Sequence, residues 1–136
     1  MSSSEQQSES QPEQHTRLHA LRGAITAERN DEASIVSATE RLMHELMWRN
    51  QLEPEQMVSC IFTSTGDLDA QFPAVAARAL GLQNVPLLCA REIDVPGALE
   101  RVIRVLIHYY ASETHRAQHV YLREAESLRR DLKGAQ

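Results

Sequence analysis

Aromatic side chains are scarce: Phe, Trp and Tyr make up 4% of the 136 residues, so any core must be mostly aliphatic. The two cysteines, Cys60 and Cys89, sit in apolar stretches without metal-ligand spacing, which suggests neither a disulfide scaffold nor a zinc site. No apolar run approaches the length needed to span a bilayer, and the N-terminus lacks the basic-then-apolar pattern of a signal peptide. The expected compartment is therefore the cytoplasm. Positive charge is in deficit as well. A formal net charge of -5 argues against a nucleic-acid or anionic-membrane binder. It leaves a small anionic ligand open, because a few arginines set the potential of a pocket. There is no glycine-rich phosphate cradle, and the six histidines are scattered without a Ser or Asp dyad. Neither a metal nor a cofactor is expected.

What remains is ordinary globular composition, 42% hydrophobic and 24% charged, at a length that suits one domain. A domain this small buries a modest share of its surface and would gain from oligomerisation. Residues 1–16 are mostly Ser, Gln and Glu with no large apolar residue after Met1, and read as a disordered extension. The folded domain is expected over 17–132, with a flexible tail at 133–136.

Leu18 to Thr26 reads as a strand interrupted by Arg22-Gly23. Asn30 or Asp31 can cap a helix in which Ile35, Val36, Thr39, Leu42, Met43, Leu46 and Met47 form one apolar stripe. Met57 to Thr65 is rich in β-formers, and Gly66-Asp67 breaks it. Pro73 suits the first position of a short helix and Gly81 the residue beyond its end. Val85 to Ala90 reads as a buried strand, and Val95-Pro96-Gly97 as a turn. Leu99, Val102, Ile103, Leu106 and Ile107 have helical spacing, so periodicity favours a helix over 98–111 although Val, Ile and Tyr favour a strand. Val120 to Leu128 is strand or short helix. The order suggests an α+β domain with its mixed β-sheet covered by helices on one face.

Several stretches, in order, resemble the trimeric, monofunctional chorismate mutase family. They are Leu21-Arg22-Gly23-Ala24-Ile25-Thr26-Ala27-Glu28-Arg29; Ser64-Thr65-Gly66-Asp67-Leu68 running to Phe72-Pro73-Ala74-Val75-Ala76-Ala77-Arg78; and Val85-Pro86 through Cys89, Glu92, Asp94-Val95 and Gly97 to Ile103-Arg104-Val105. His119-Val120-Tyr121-Leu122 and Leu128-Arg129-Arg130-Asp131-Leu132 complete the pattern. The resemblance covers residues 18–132. It implies a ferredoxin-like, bacillus chorismate mutase-like fold and a homotrimer forming a pseudo-α/β barrel, with active sites in the subunit clefts. It also implies a strand over 100–111 in place of the helix.

The implied reaction is the pericyclic rearrangement of chorismate to prephenate. No proton must move and no nucleophile is needed, so an enzyme helps by holding the folded conformer and stabilising charge on the ether oxygen. By the resemblance, Arg104 reaches that oxygen and Glu92 hydrogen-bonds the ring hydroxyl. Arg22 contacts a carboxylate, and Tyr121 offers its phenol to one. Leu88 and Cys89 line the pocket, Phe72, Ala74 and Arg78 come from the neighbouring subunit, and Leu128 and Arg129 close over the site. Read without the resemblance, Arg104 is an arginine in an amphipathic stripe balanced by Glu100, and Glu92 a loop glutamate. Arg22 is then equally an edge-strand arginine, with Gly23 letting a ligand or backbone approach. Cys89, Phe72 and Ala74 are core residues, Tyr121 is core or rim packing, and Leu128 and Arg129 belong to a solvated tail. Two departures stand out: Val75 where some members carry lysine, and Leu88 where threonine is often found. The first implies a raised KM.

Three other readings compete. One is a trimer that binds chorismate or prephenate as a regulatory ligand without turning it over. Another is a trimeric enamine or imine hydrolase, and the last a plain α+β interaction domain.

Overall fold

The computed structural model describes residues 15–129. The sequence-based expectations for residues 1–14, for the tail at 133–136 and for Arg130-Asp131-Leu132 lie outside them. Strand β1 spans Thr16–Thr26, helix α1 Glu32–Arg49, β2 Met57–Ser64, α2 Ala74–Ala79 and β3 Leu87–Arg91. Strand β4 spans Val102–Ser112 and β5 Val120–Tyr121, with 3-10 turns at Pro54–Gln56 and Arg123–Ala125. The first strand starts earlier than its apolar pattern, since Thr16 already pairs with Ser112 and so belongs to the sheet rather than to an extension.

The strands form one mixed sheet in the order β3-β2-β4-β1-β5. β4 runs antiparallel to both neighbours, whereas β3 lies parallel to β2 and β5 parallel to β1. This corrects the helix that periodicity favoured over 98–111. A central strand has two faces to fill, and the helix-side residues Ile103, Ile107 and Tyr109 are fully buried. Leu106 fills the opposite face, so apolar residues recur at spacings of one, three and four and imitate a helical stripe. Residues 120–128 divide: β5 is two residues long, and the chain then turns through 3-10 geometry into a helical turn at 126–129.

Asp31 caps α1, its Oδ1 accepting from the Ser34 N–H at 2.7 Å, with Glu32 in the positive first turn and Arg49 in the last. Ile35, Ala38, Thr39, Leu42, Met43 and Leu46 are buried at helical spacing against the sheet. Each large aliphatic side chain so buried contributes about 1.5–3 kcal/mol. Ala74 and Ala77 bring α2 to the same face and the same core. Leu80 ends α2, and Gly81 follows at φ +102°, where a side chain would be strained. The second face of the sheet bears Leu18, Leu88 and Tyr110, which are exposed. No helix among the described residues is long and apolar enough to cross a membrane.

Candidate active site

Three strands place the principal side chains on the face that α1 leaves open. Arg104, midway along β4, lies opposite Ala24 of β1 and Thr63 of β2. One register step along, Leu106 lies opposite Arg22 and Ile61. β5 pairs Tyr121 with Ala24, so its phenol joins the same face. Arg22, Arg104 and Tyr121 rim a cleft of about 280 Å³ floored by Ile61, Thr63 and Leu106.

Glu92 follows β3 and extends its ladder by one bond, its N–H donating to the Ser64 carbonyl at 3.0 Å. Its Oε2 accepts from the Thr63 hydroxyl at 2.7 Å and lies 2.7 Å from Arg104 Nε. The Nε–H is not aimed at that oxygen, so the contact is an ion pair rather than a hydrogen bond. The Glu92 side chain is 15% exposed and that of Arg104 43%. A shielded carboxylate thus anchors a guanidinium whose terminal nitrogens have no partner among the described residues. Such an arrangement presents fixed positive charge and several N–H donors to a ligand.

His119 sets the backbone at Arg22: the Arg22 N–H donates to His119 Nδ1 at 3.0 Å, which requires that nitrogen to be unprotonated. Burial, with a smaller effect of the Arg22 charge, pushes the His119 pKa below the usual 6.5. The connection carrying His119 is pinned throughout. Glu113 N–H donates to the His15 carbonyl, and Tyr109 Oη meets His115 Nε2 at 2.7 Å. The buried Asn50 amide both donates to the Gln118 carbonyl at 3.0 Å and accepts its N–H at 2.8 Å.

Gly23 works differently from its sequence reading. A Cβ there would lie 2.8 Å from Leu46 Cδ1 and 3.1 Å from Leu42 Cδ1, so the close approach is that of α1 on the face opposite Arg22.

None of the other sequence-derived positions lines this cleft. Cys89 pairs with Phe62 and packs toward the helix-side core. With exposed Phe72 it lines a second cleft of about 340 Å³. Ala74 is buried, which leaves only its backbone to offer, and Arg78 is exposed on α2. Leu88 stands exposed on the open face beside Ile61. Leu128 packs with Ala24, Val102 and Ala125 near Tyr121, and Arg129 is exposed at the end of the described chain. Sequence reasoning gave no role to Thr63, His119 or Asn50, whose partners are remote in the chain. Burial raises the Cys60 thiol to about 12, so it is inert.

The chorismate mutase type I family matches residues 18–132. A chorismate mutase AroH of Thermus thermophilus is 46% identical over 121 residues, covering 88% of this chain and 99% of that protein. Its counterpart from Bacillus subtilis is 38% identical over 117 residues, 85% of this chain and 92% of that protein. The solved structure of a chorismate mutase from Clostridium thermocellum superposes with a TM-score of 0.74 at 43% identity, covering 80% of this chain and 98% of that one.

Proposed function

The chain belongs to the chorismate mutase type I family, and from that premise we propose how its own residues perform the reaction. It is an isomerase of the shikimate pathway that converts chorismate to prephenate. In that rearrangement one carbon–carbon bond forms as the ether C–O bond breaks, and negative charge gathers on the ether oxygen. The group that carries the reading is Arg104. Its uncommitted terminal nitrogens supply fixed N–H donors to that oxygen, and they need no reorganisation because Glu92, itself held by the Thr63 hydroxyl, anchors the other side of the guanidinium. Arg22 holds one substrate carboxylate, Tyr121 adds its phenol, and the free oxygen of Glu92 accepts from the ring hydroxyl.

The working site is proposed to be intersubunit, in a trimer. Exposed Leu18, Leu88 and Tyr110 on the uncovered sheet face favour burial by further copies of the chain. That assembly would bring the Phe72 and Cys89 cleft of one copy to the arginine cleft of another, with Leu88, Ala74 and Arg78 at its wall and Leu128 and Arg129 over it. The domain is taken as residues 17–132, acting in the cytoplasm.

The test is chorismate disappearance by ultraviolet absorbance, wild type beside Arg104→Ala, with prephenate verified by its acid conversion to phenylpyruvate. The variant is expected to retain its fold and oligomeric mass while kcat falls by about 10²–10³. A kcat close to wild type would overturn the role given to Arg104. A solution mass equal to the 15.3 kDa monomer would overturn the trimer.

A further inference from the structure

Either Asn30 or Asp31 could cap α1 by sequence, and it is Asp31 whose Oδ1 takes the Ser34 N–H. The Asn30 side chain is engaged elsewhere, by the connection between β2 and α2. Its Nδ2 donates to Asp69 Oδ1 at 2.8 Å, and its Oδ1 accepts the N–H of Asp69 at 3.0 Å and that of Ala70 at 3.1 Å. A single amide thus binds two successive backbone N–H groups and the side chain of one of them.

That connection lines the Phe72 and Cys89 cleft. It leaves the core at Leu68 and re-enters it at Pro73 and Ala74, which are buried, while Asp69, Ala70 and Phe72 between them are exposed. Every residue from 68 to 73 lines the cleft. Phe72 is 65% exposed, so most of its ring packs on nothing within the protomer and its place is set by its backbone. The root of the connection is tied to β4, where Asp67 accepts the Arg101 N–H at 3.0 Å. The Phe72 N–H donates to the side chain of adjacent Gln71 at 2.8 Å, a bond internal to the loop. The crest at Asp69-Ala70 is tied to the body of the fold through Asn30. Exposed loops with little buried surface open at small cost, and such ties raise that cost.

We propose that Asn30 is a positioning residue: it holds the Asp69-Ala70 crest so that Phe72 is presented in a fixed place to the arginine cleft of the neighbouring subunit. The inference rests on the intersubunit site proposed above. Asn30 touches no substrate and acts through Phe72, on its neighbour's site rather than its own. A wall already in place limits the conformers open to a bound substrate, and that restriction is how a positioned side chain raises the rate.

The experiment uses the full-length chain, co-expressed in pairs under two affinity tags so that only mixed trimers are recovered, and assayed at chorismate concentrations well below KM. Asn30→Ala by itself is expected to lower kcat/KM roughly tenfold, the loss of a few exposed hydrogen bonds on one loop. Mixed with Arg104→Ala, it should regain about one third of wild-type activity. A cyclic trimer of the two holds one site whose arginine comes from the Asn30→Ala chain and whose Phe72 comes from the Arg104→Ala chain. Phe72→Ala mixed with Arg104→Ala is the control for the intersubunit site and should regain the same share. Asn30→Asp should be impaired, because its carboxylate faces that of Asp69. Adding Asp69→Asn should restore activity, since the same bonds form with amide and carboxylate exchanged.

An Asn30→Ala or Phe72→Ala enzyme within twofold of wild type would overturn the proposal. So would an exchanged pair as impaired as Asn30→Asp, or a mixed trimer no more active than Asn30→Ala while the Phe72 control regains its share. A control that regains nothing would overturn the intersubunit site, and the proposal with it.

Discussion

Replacing Thr63 by valine removes one oxygen from the open face of the sheet and leaves the side chain's shape almost unchanged. The valine keeps the β-branch that suits β2. What is lost is the hydroxyl that donates to Glu92 Oε2 at 2.7 Å. A hydrogen bond to a charged group is worth about 1.5–3 kcal/mol, or roughly 10- to 100-fold in an equilibrium. Glu92 keeps its ion pair with Arg104, and the more exposed arginine can follow the carboxylate as it drifts. The expected loss in kcat/KM therefore sits near the lower bound, about tenfold, with the melting temperature little changed. Thr63→Ser should recover most of the activity, because it restores the donor and omits only a methyl group. The assay is chorismate consumption across a concentration series, paired with thermal melts of the same samples. A Thr63→Val enzyme within twofold of wild type would refute the idea that Thr63 orients Glu92. A serine variant as impaired as the valine would shift the cause from the hydroxyl to packing.

Gly23→Ala should cost about 1–3 kcal/mol of stability, since its Cβ would meet Leu46 and Leu42 and push α1 off the sheet; denaturant unfolding reads it, and a neutral result would show that the leucines repack freely. His119 gives a pH signature. Its pKa is lowered on folding, so the unfolded chain takes up the proton first, and the stability it contributes is complete above the ordinary value of 6.5 and drains as pH falls through the lower folded value. His115, also shifted down by burial and by His19, adds in the same direction. Melting temperatures taken from pH 8 to 5 should decline below about 6.5, and His119→Leu should flatten that decline; an identical slope in both proteins would assign it elsewhere.

The parts of the molecule legible in its residues are those where local pattern and tertiary demand agree. The α1 stripe, its Asp31 cap, Gly81 after α2 and the Pro96-Gly97 turn are all set by near neighbours. The turn shows it well: Gly97 takes φ +83° and the Ala98 N–H returns to the Val95 carbonyl at 3.1 Å. β4 misleads because Val102, Leu106 and Tyr110 put apolar side chains on its open face as well, which blurs the alternation with Ile103, Val105, Ile107 and Tyr109. Arg104 and Glu92 were marked by resemblance alone, since an arginine in an apolar run carries no sign of a carboxylate that the sheet brings beside it. The contacts of Thr63, His119 and Asn50 were invisible for the same reason. A threonine in a strand, a histidine in a loop and an asparagine past a helix say nothing of a partner reached only through the fold.

The connection from β4 to β5 behaves as a ruler. Its first part is tied at Glu113 and His115, and its far end at Gln118 and His119, so that only the exposed Arg116 and the adjoining Ala117 span the interval between ties. Chemistry at exposed Arg116 is nearly free, whereas Ala117 packs against the core. Length is not free. A residue inserted or deleted between His115 and Gln118 must either break the Asn50 staple or slide Val120 out of the core, and in both cases the phenol of Tyr121 leaves the face it shares with Arg22 and Arg104.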